Sequence, residues 1–336
     1  MSGRILAGDI GGTKTNLALY SIEEGRLNLI AKRSFRSMEY PDFGSLLKEF
    51  LLDASGTVTR GCFGVAGPVV GDQAETPNLP WVIDGRKLAR SFGLSRVLLI
   101  NDLEATAYGI LNLGPGELVS LNQGLPEQKG NMAVIAAGTG LGEAILFWDG
   151  KGHRPFASEG GHADFAPRTA LEIELLCYLT AHFGHVSCER VISGPGLWNI
   201  YCFLRDSNRF SEPPWLRNRL AAEDPGQVIS EVGLAGEADI CVKALDLFAS
   251  AYGAEAGNLA LKAKAMRGVY VAGGIAPKIF SKLKDGTFVR AFTEKGRFTD
   301  FLSKIPVYLV LNEEAALQGA AYYAAFGDRR VAMSVR

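Results

Sequence analysis

Asp9-Ile10-Gly11-Gly12-Thr13-Lys14-Thr15-Asn16-Leu17-Ala18-Leu19-Tyr20 and, further along, Ala136-Ala137-Gly138-Thr139-Gly140-Leu141-Gly142-Glu143-Ala144-Ile145-Leu146-Phe147 share one plan. Each is an apolar run, a Gly/Thr turn and a second apolar run. Around the first, residues 4–10, 16–20 and 27–35 read as strands. Their connections are too short for a crossover, so they form an antiparallel meander. Around the second, residues 132–137 and 143–148 read as strands. Between the blocks, Phe43, Leu46, Leu47, Phe50 and Leu51 recur at helical spacing, and residues 62–67 and 96–100 are further strands. Strands separated by helix patterns indicate an α/β sheet. Two weakly similar blocks indicate two related domains rather than a solenoid.

The second half is mostly helical, with candidate helices at 169–183, 194–205, 237–265, 278–284 and 314–325 and strands at 269–274 and 307–311. Residues 206–226 contain Pro213, Pro214 and Pro225 and read as a surface excursion. The expected organisation is a small α/β domain, 1–110, joined by the C-terminal helix 313–330, and a large α/β domain with helical insertions, 111–312.

Composition narrows the function. The 336 residues carry 35 Lys+Arg against 36 Asp+Glu, a net charge of −1, which argues against a protein that coats nucleic acid or anionic membrane. No run of about 18 uncharged apolar residues predicts a membrane span, and Met1-Ser2-Gly3-Arg4 begins no secretory signal. The five cysteines, Cys62, Cys177, Cys188, Cys202 and Cys241, are scattered and include no CxxC. They read as reduced thiols in a cytoplasmic protein, with no zinc site. The 40 glycines are about 12% of the chain, against an average of about 7%.

Seven motifs could carry chemistry. The turn Asp9–Thr15 lacks the spacing of a P-loop or a dinucleotide fold, and a strand rather than a helix follows it. It reads either as a tight hairpin or as a cradle whose backbone N–H groups face phosphate. In the second reading Thr13 and Thr15 add hydroxyls and Asp9 orients a hydrated Mg²⁺. Gly138-Thr139-Gly140-Leu141-Gly142 has the same two readings, and two such turns on facing domains would clamp a polyphosphate. Gly273-Gly274 ends a strand before a helix expected near Pro277, where a flat ligand or a phosphate would approach. Asn101-Asp102 sits between an apolar strand and a helix. Either residue suits a helix cap, and Asp102 also suits a general base at the carboxyl edge of a sheet. In Ser158-Glu159-Gly160-Gly161-His162 the glycines argue against a helix, so Glu159 and His162 read as sugar-hydroxyl partners or as a structural pair. Around Cys188–Leu197, Glu189 is another hydroxyl acceptor or a partner for Arg190, and Ser193 caps the next helix. Finally, Asn78 and Trp81 on the loop 76–81 suit carbohydrate, although Trp81 also suits a core.

DIGGTKTN (9–16), VAGPV (65–69), N-x-x-W (78–81), INDLEA (100–105), AGTGLG (137–142), SEGGHADF (158–165), ERVISGPGL (189–197) and AGGI (272–275) occur in this order. In these motifs the chain resembles the bacterial glucokinases of the hexokinase/actin-like ATPase superfamily, over essentially its whole length. The resemblance implies two related actin-like ATPase (ribonuclease H-like) domains with a cleft between them. It implies that Asp102 is the catalytic base, with Asn101 beside it on the sugar, and that Asn78, Glu159, His162 and Glu189 contact glucose hydroxyls. It implies that Asp9, Gly11, Gly12, Thr13, Lys14 and Thr15 in one turn, and Gly138, Thr139 and Gly140 in the other, hold the phosphates of ATP. Gly273 and Gly274 would lie near the adenosine. A homodimer is implied as well. The related repressor/kinase (ROK) family differs in carrying a Cys-rich zinc motif, and its repressors carry a DNA-binding helix–turn–helix; neither is expected here.

The expected reaction is ATP + D-glucose → ADP + glucose 6-phosphate, the entry step of glycolysis, with Mg²⁺ on the β/γ-phosphates and Asp102 receiving the 6-hydroxyl proton. A closing two-domain clamp would keep water from being phosphorylated. Competing readings are another hexose or amino-sugar kinase, a sugar sensor without turnover, and an actin-like filament protein. Discrimination between epimers and between ATP and polyphosphate is not legible in the motifs.

Overall fold

The structure, a computed structural model, describes residues 3–53, 57–76 and 79–327. The chain divides into two compact units, Met1–Gly114 with Asn312–Arg336, and Pro115–Leu311.

The first unit begins with the expected meander of β1 (Arg4–Ile10), β2 (Lys14–Glu23) and β3 (Arg26–Arg36). Helix α1 (Phe43–Leu52) follows, started by the Asp42 carboxylate, which accepts the Ser45 N–H at 2.8 Å. Its apolar stripe, Phe43, Leu46, Leu47 and Phe50, is buried. Next come β4 (Val58–Val65), a small sheet of β5 (Val69–Val70), β6 (Gln73–Glu75) and β7 (Val82–Asp84), helix α2 (Gly85–Phe92), β8 (Arg96–Asn101) and α3 (Asp102–Ile110). The main sheet has the order β3-β2-β1-β4-β8, with β1, β4 and β8 mutually parallel.

The second unit repeats that arrangement. Strands β9 (Leu118–Asn122), β10 (Met132–Ala137), β11 (Leu141–Trp148) and β12 (His153–Ser158) precede five helices. These are α4 (Ala170–Phe183), α5 (Gly194–Asp206), α6 (Pro214–Ala222), α7 (Pro225–Ala235) and α8 (Asp239–Ala263). Then follow β13 (Gly268–Ala272), α9 (Phe280–Lys284), α10 (Thr287–Thr293), α11 (Thr299–Ser303) and β14 (Val307–Val310). The sheet order is β12-β11-β10-β13-β14-β9. Strands β10, β11 and β12 form a second meander, and β10, β13 and β14 are parallel. Helix α8 is apolar around most of its circumference and forms the centre of this unit's core. Helix α12 (Ala315–Tyr322) belongs to the first unit, where it packs on α3.

Three local expectations change. Residues 206–226 are largely helical rather than an excursion. Pro214 opens α6, Pro225 opens α7 behind an Asp224 cap, and Leu216 and Leu220 are buried. Proline at the first helical turn forfeits no hydrogen bond, so these prolines mark helix starts instead of loop. Gly160–His162 forms one turn of 3₁₀ helix. The helix after Gly274 starts at Phe280, has only five residues and lacks a side-chain cap. It supplies no phosphate-binding terminus near Pro277.

Candidate active site

In the first unit the functional candidates gather on one sheet edge. The register aligns Ile10 with Val65 and Val65 with Asn101 across three parallel strands. The ends of β1 and β8 are therefore two strand spacings apart, about 10 Å. Asp9 and the turn Gly11–Lys14 lie at one end of this row, and Asn101 and Asp102 at the other.

The turn is a closed hairpin loop. Gly11 N–H donates to the Lys14 carbonyl at 3.0 Å, and Ser37 braces it from the neighbouring 3₁₀ turn. The Ser37 hydroxyl donates to the Gly11 carbonyl at 2.8 Å and lies 2.9 Å from the Thr15 hydroxyl. Thr13 and Lys14 are exposed, whereas Thr15 is fully buried. The Thr15 hydroxyl is thus turned inward against Ser37 beneath the loop. The Asp9 carboxylate accepts from the Asn16 amide at 3.5 Å. Burial pushes its pKa up, against the opposing pull of Asn16 and the Lys14 charge.

Asn101 and Asp102 stand differently at the start of α3. Asn101 is the cap of α3: its side-chain oxygen accepts the Leu103 N–H at 2.8 Å, and its amide donates to the Gly67 carbonyl at 3.4 Å. Asp102 is the first helical residue, and one of its oxygens lies 2.9 Å from the same N–H. Trp81 is core: it is 2% exposed, and its indole N–H donates to the Tyr40 carbonyl at 3.2 Å. Asn78 lies outside the described residues.

In the second unit, two Gly turns stand side by side at the carboxyl ends of the paired strands β10 and β13. Gly273 has φ +85, and a Cβ there would lie 2.4 Å from the Ala137 carbonyl oxygen. Only glycine fits that close crossing. Gly138 N–H donates to the Gly140 carbonyl at 2.8 Å, and the Gly194 N–H at the start of α5 donates to the Gly138 carbonyl at 2.9 Å. Ser193 caps α5 as expected, accepting the Gly196 N–H at 2.9 Å. Beneath both turns, the Tyr252 hydroxyl lies 3.2 Å from the Ala137 N–H and 3.3 Å from the carbonyls of Ile135 and Ala272.

Glu189 joins the second turn. Its carboxylate accepts the Leu141 N–H at 2.9 Å, while Arg190 lies over the Phe183 ring at 4.2 Å. The Glu189–Arg190 pairing is therefore not what places Glu189. Glu159 and His162 are both exposed and 3.9 Å apart across the 3₁₀ turn. Ser37, Tyr252 and the Gly194 N–H are supports that local pattern did not reveal. A serine after a strand and a tyrosine within an apolar helix carry no signal of the distant backbone they reach.

Comparisons with known proteins give the family. The family model described as Glucokinase matches residues 6–326. A glucokinase of a Nostoc species is 42% identical over 337 residues, spanning 96% of this chain and 98% of its own. A crystal structure of a glucokinase from an Antarctic psychrotroph is 30% identical with a TM-score of 0.84, over 96% of this chain and 99% of that one. A glucokinase from Balamuthia mandrillaris, solved in complex with glucose, is 22% identical and has the same fold, with a TM-score of 0.82 over 96% of this chain and 94% of that one. With the motifs in order along both units and a family match running from β1 to the last described turn, the chain belongs to the glucokinase family.

Proposed function

We propose that this chain performs the family's reaction, ATP-dependent phosphorylation of D-glucose to glucose 6-phosphate, with Asp102 as the general base. The carrying observation is the position of Asp102 at the carboxyl edge of the β1-β4-β8 row, on the same edge as the Gly11–Lys14 turn. As the glucose 6-oxygen attacks, the O6–P bond forms, the bond from the γ-phosphorus to the β,γ-bridging oxygen breaks, and the O6 proton passes to the Asp102 carboxylate. A sugar hydroxyl is a weak acid, so proton transfer matters late, as the new bond forms.

The other roles divide between the units. In the first, the exposed N–H groups and hydroxyl of Gly12, Thr13 and Lys14 face phosphate, with Thr15 bracing them from below. Asn101 fixes the start of α3 and so the direction of Asp102. In the second, Gly138, Thr139 and Gly140 receive phosphate, and Gly273-Gly274 leave room for the nucleoside. Glu159, His162 and Glu189 receive sugar hydroxyls, as does Asn78 by its motif.

Mg²⁺ fits Asp9 as an outer partner. A carboxylate that burial disfavours in its charged form, with one weak neutral donor, gains from a hydrated cation nearby. No group of three or more metal-ligating side chains occurs among the described residues. The ion would thus be held mainly by phosphate oxygens and water, where it supplies charge neutralisation. No helix among the described residues is long and apolar enough to cross a membrane. We also propose a cytoplasmic homodimer, on the family resemblance.

The deciding experiment is Asp102→Asn, measured as glucose 6-phosphate formation. The expected result is a fall in kcat of about 10²–10⁴-fold with glucose binding nearly unchanged. A variant that keeps near-normal kcat would remove Asp102 from the chemistry.

A further inference from the structure

Glu143 has no part in the roles above, yet it is the most unusual group in the second unit. It sits on β11, one residue past the Gly138–Gly142 turn, and is 2% exposed. Its Oε1 is buried with no hydrogen-bond donor among the described residues. Its side chain meets Glu255 of α8 within hydrogen-bonding reach. Glu255 is itself 5% exposed and already accepts from the Asn258 amide at 2.8 Å and the Lys262 ammonium at 3.4 Å.

Two carboxylates in contact cannot both be ionised in a buried site. Glu255 has the cation and the amide donor, whereas Glu143 Oε1 has neither. Burial and the neighbouring Glu255 favour the protonated form of Glu143. The groups facing the pair support this assignment. From the 188–190 turn come the Cys188 thiol, which burial keeps protonated, and the anionic end of Glu189 at Leu141. Around α4, Arg168 is matched by Glu172. Beyond α10, Lys295 bonds the Ala254 carbonyl and Asn258, and burial lowers its pKa. Tyr252 is tied to strand backbone, and His162 and Glu159 are out in solvent. Only Lys262 draws Glu143 towards ionisation, and burial followed by the Glu255 charge outweighs it, holding Glu143 up at about 7.

What lies on Glu143 gives it a function. A Cβ on Gly160 would fall 2.1 Å from the Glu143 carboxyl, and one on Gly161 would fall 1.9 Å from the Leu141 carbonyl oxygen. The 3₁₀ turn therefore lies flat on Leu141–Glu143. The Glu143 carbonyl also accepts the Ser158 hydroxyl at 3.2 Å, and that hydroxyl accepts the Gly160 N–H at 3.2 Å. The Leu141 N–H is what anchors Glu189. One short piece of β11 is thus the floor for Glu159, His162 and Glu189.

We propose that Glu143 is a positioning residue for sugar binding: its carboxyl proton, shared with Glu255, keeps the floor of the Gly160 turn in place, and its loss weakens glucose binding. This rests on the reading of Glu159, His162 and Glu189 as sugar ligands. When Glu143 ionises, two adjacent anions repel, and the Gly160 turn lies directly against the Glu143 carboxyl.

The test follows glucose affinity by calorimetry without nucleotide, and glucose KM, ATP KM and kcat, from about pH 6 to pH 8.5. If only the protonated form binds well, the wild-type dissociation constant rises about tenfold between pH 6 and pH 8, in proportion to the lost competent fraction. Glucose KM follows it, while ATP KM does not. Glu143→Gln, which keeps the donor and cannot ionise, stays flat at the low-pH value. Infrared spectra show a protonated carboxyl band at pH 6 that this variant lacks. A Glu143→Gln profile that tracks wild type, or a flat wild-type profile, overturns the proposal. Glu159→Ala and Glu189→Ala serve as controls. If both keep wild-type glucose affinity, the sugar-ligand reading fails and takes the proposal with it. If they weaken binding while Glu143→Gln behaves as wild type, the proposal alone fails.

Discussion

Gly319→Ala should both destabilise the first unit and slow the reaction. Helix α12 crosses α3 through two glycines. A Cβ on Gly319 would lie 1.7 Å from the Ala105 carbonyl oxygen and 2.5 Å from the Gly109 nitrogen, and one on Gly109 would lie 1.9 Å from the Ala315 carbonyl oxygen. These are backbone atoms, so no rotamer change relieves the clash. Nor can α3 retreat into the sheet, because a Cβ on Gly64 of β4 would already be 2.9 Å from the Ala105 Cβ. An ordinary contact needs α12 to lift by about 1.5 Å, and gaps of about 1 Å already forfeit up to half of a contact's dispersion energy. Leu317, Ala320 and Ala321 of α12 are fully buried and would lose that contact together. Overpacking typically costs about 1–3 kcal/mol, and a clash with backbone on both helices takes the upper end. For a chain of this size that corresponds to a fall in Tm of about 4 °C. Asp102 begins α3, so tilting the helix also displaces the proposed base; misplacement by about 1 Å can cost about 10²-fold in rate. Calorimetric scans and glucose 6-phosphate formation measure the two effects. Gly116→Ala, whose Cβ would meet nothing within 4 Å, is the control. A Gly319→Ala protein that melts and turns over like wild type would refute the crossing as described.

Two further predictions concern the second unit. Tyr252→Phe leaves the Ala137 N–H without the hydroxyl beneath it, at a cost of about 1–3 kcal/mol, and should raise the KM for ATP while sparing that for glucose; unchanged values for both would make Tyr252 a packing residue only. Stability should also depend on pH through Glu143. Its pKa rises from 4.5 in the unfolded chain to about 7 in the folded one, so between these values the folded state binds the extra proton. Stability therefore falls as pH rises through that window, by about 3 kcal/mol in total for this group, and levels off above it. Urea unfolding at about pH 5 and pH 8 should show this loss in wild type and not in Glu143→Gln, and equal losses in the two proteins would contradict it.

What could be read in advance follows from how local the determinant is. Helix α1 was legible because its cap and apolar stripe are both local in sequence. The two Gly/Thr turns were legible because the strand–turn–strand pattern declares itself within twelve residues. Pro213–Pro225 misled because proline ends one kind of element and opens another, and only the burial of Leu216 and Leu220 separates the cases. Asn101 and Asp102 were equally plausible caps until backbone geometry gave the cap to Asn101. Thr15 looked identical to Thr13 in sequence, yet Thr15 lies within β2 with its hydroxyl buried against Ser37, while Thr13 lies in the exposed turn before that strand. Glu143 stood in a strand where an acidic residue reads as surface, and nothing nearby in sequence announces Glu255 more than a hundred residues on.

The location of the site candidates follows from topology more than from any one motif. In each unit the two strands that flank the Gly/Thr turn, β1 and β2 in one and β10 and β11 in the other, pair antiparallel, so the turn lies at the carboxyl end of the first of them. The next strands in the sheet, β4 and β8 in one unit and β13 and β14 in the other, run parallel to that first strand. Their following loops must then emerge on the same edge as the turn. Asp102 after β8 and Gly273-Gly274 after β13 each lie on that edge of their own sheet, one on the outer parallel strand and carrying a carboxylate, the other beside the leading strand and bare backbone. That difference matches the work proposed for each. A proton acceptor needs a side chain aimed from a fixed helix start, whereas a nucleoside needs a backbone from which side chains have been removed. The supports differ for the same reason. The first turn is braced by a short hydroxyl, Ser37, because its own residues must stay exposed. The second is braced from below by Tyr252 and from the side by Glu189, which ties the segments proposed to face nucleotide and sugar through one N–H. A substitution at Leu141 that disturbs that N–H should therefore affect both substrates, whereas changes at Ser37 should affect ATP alone.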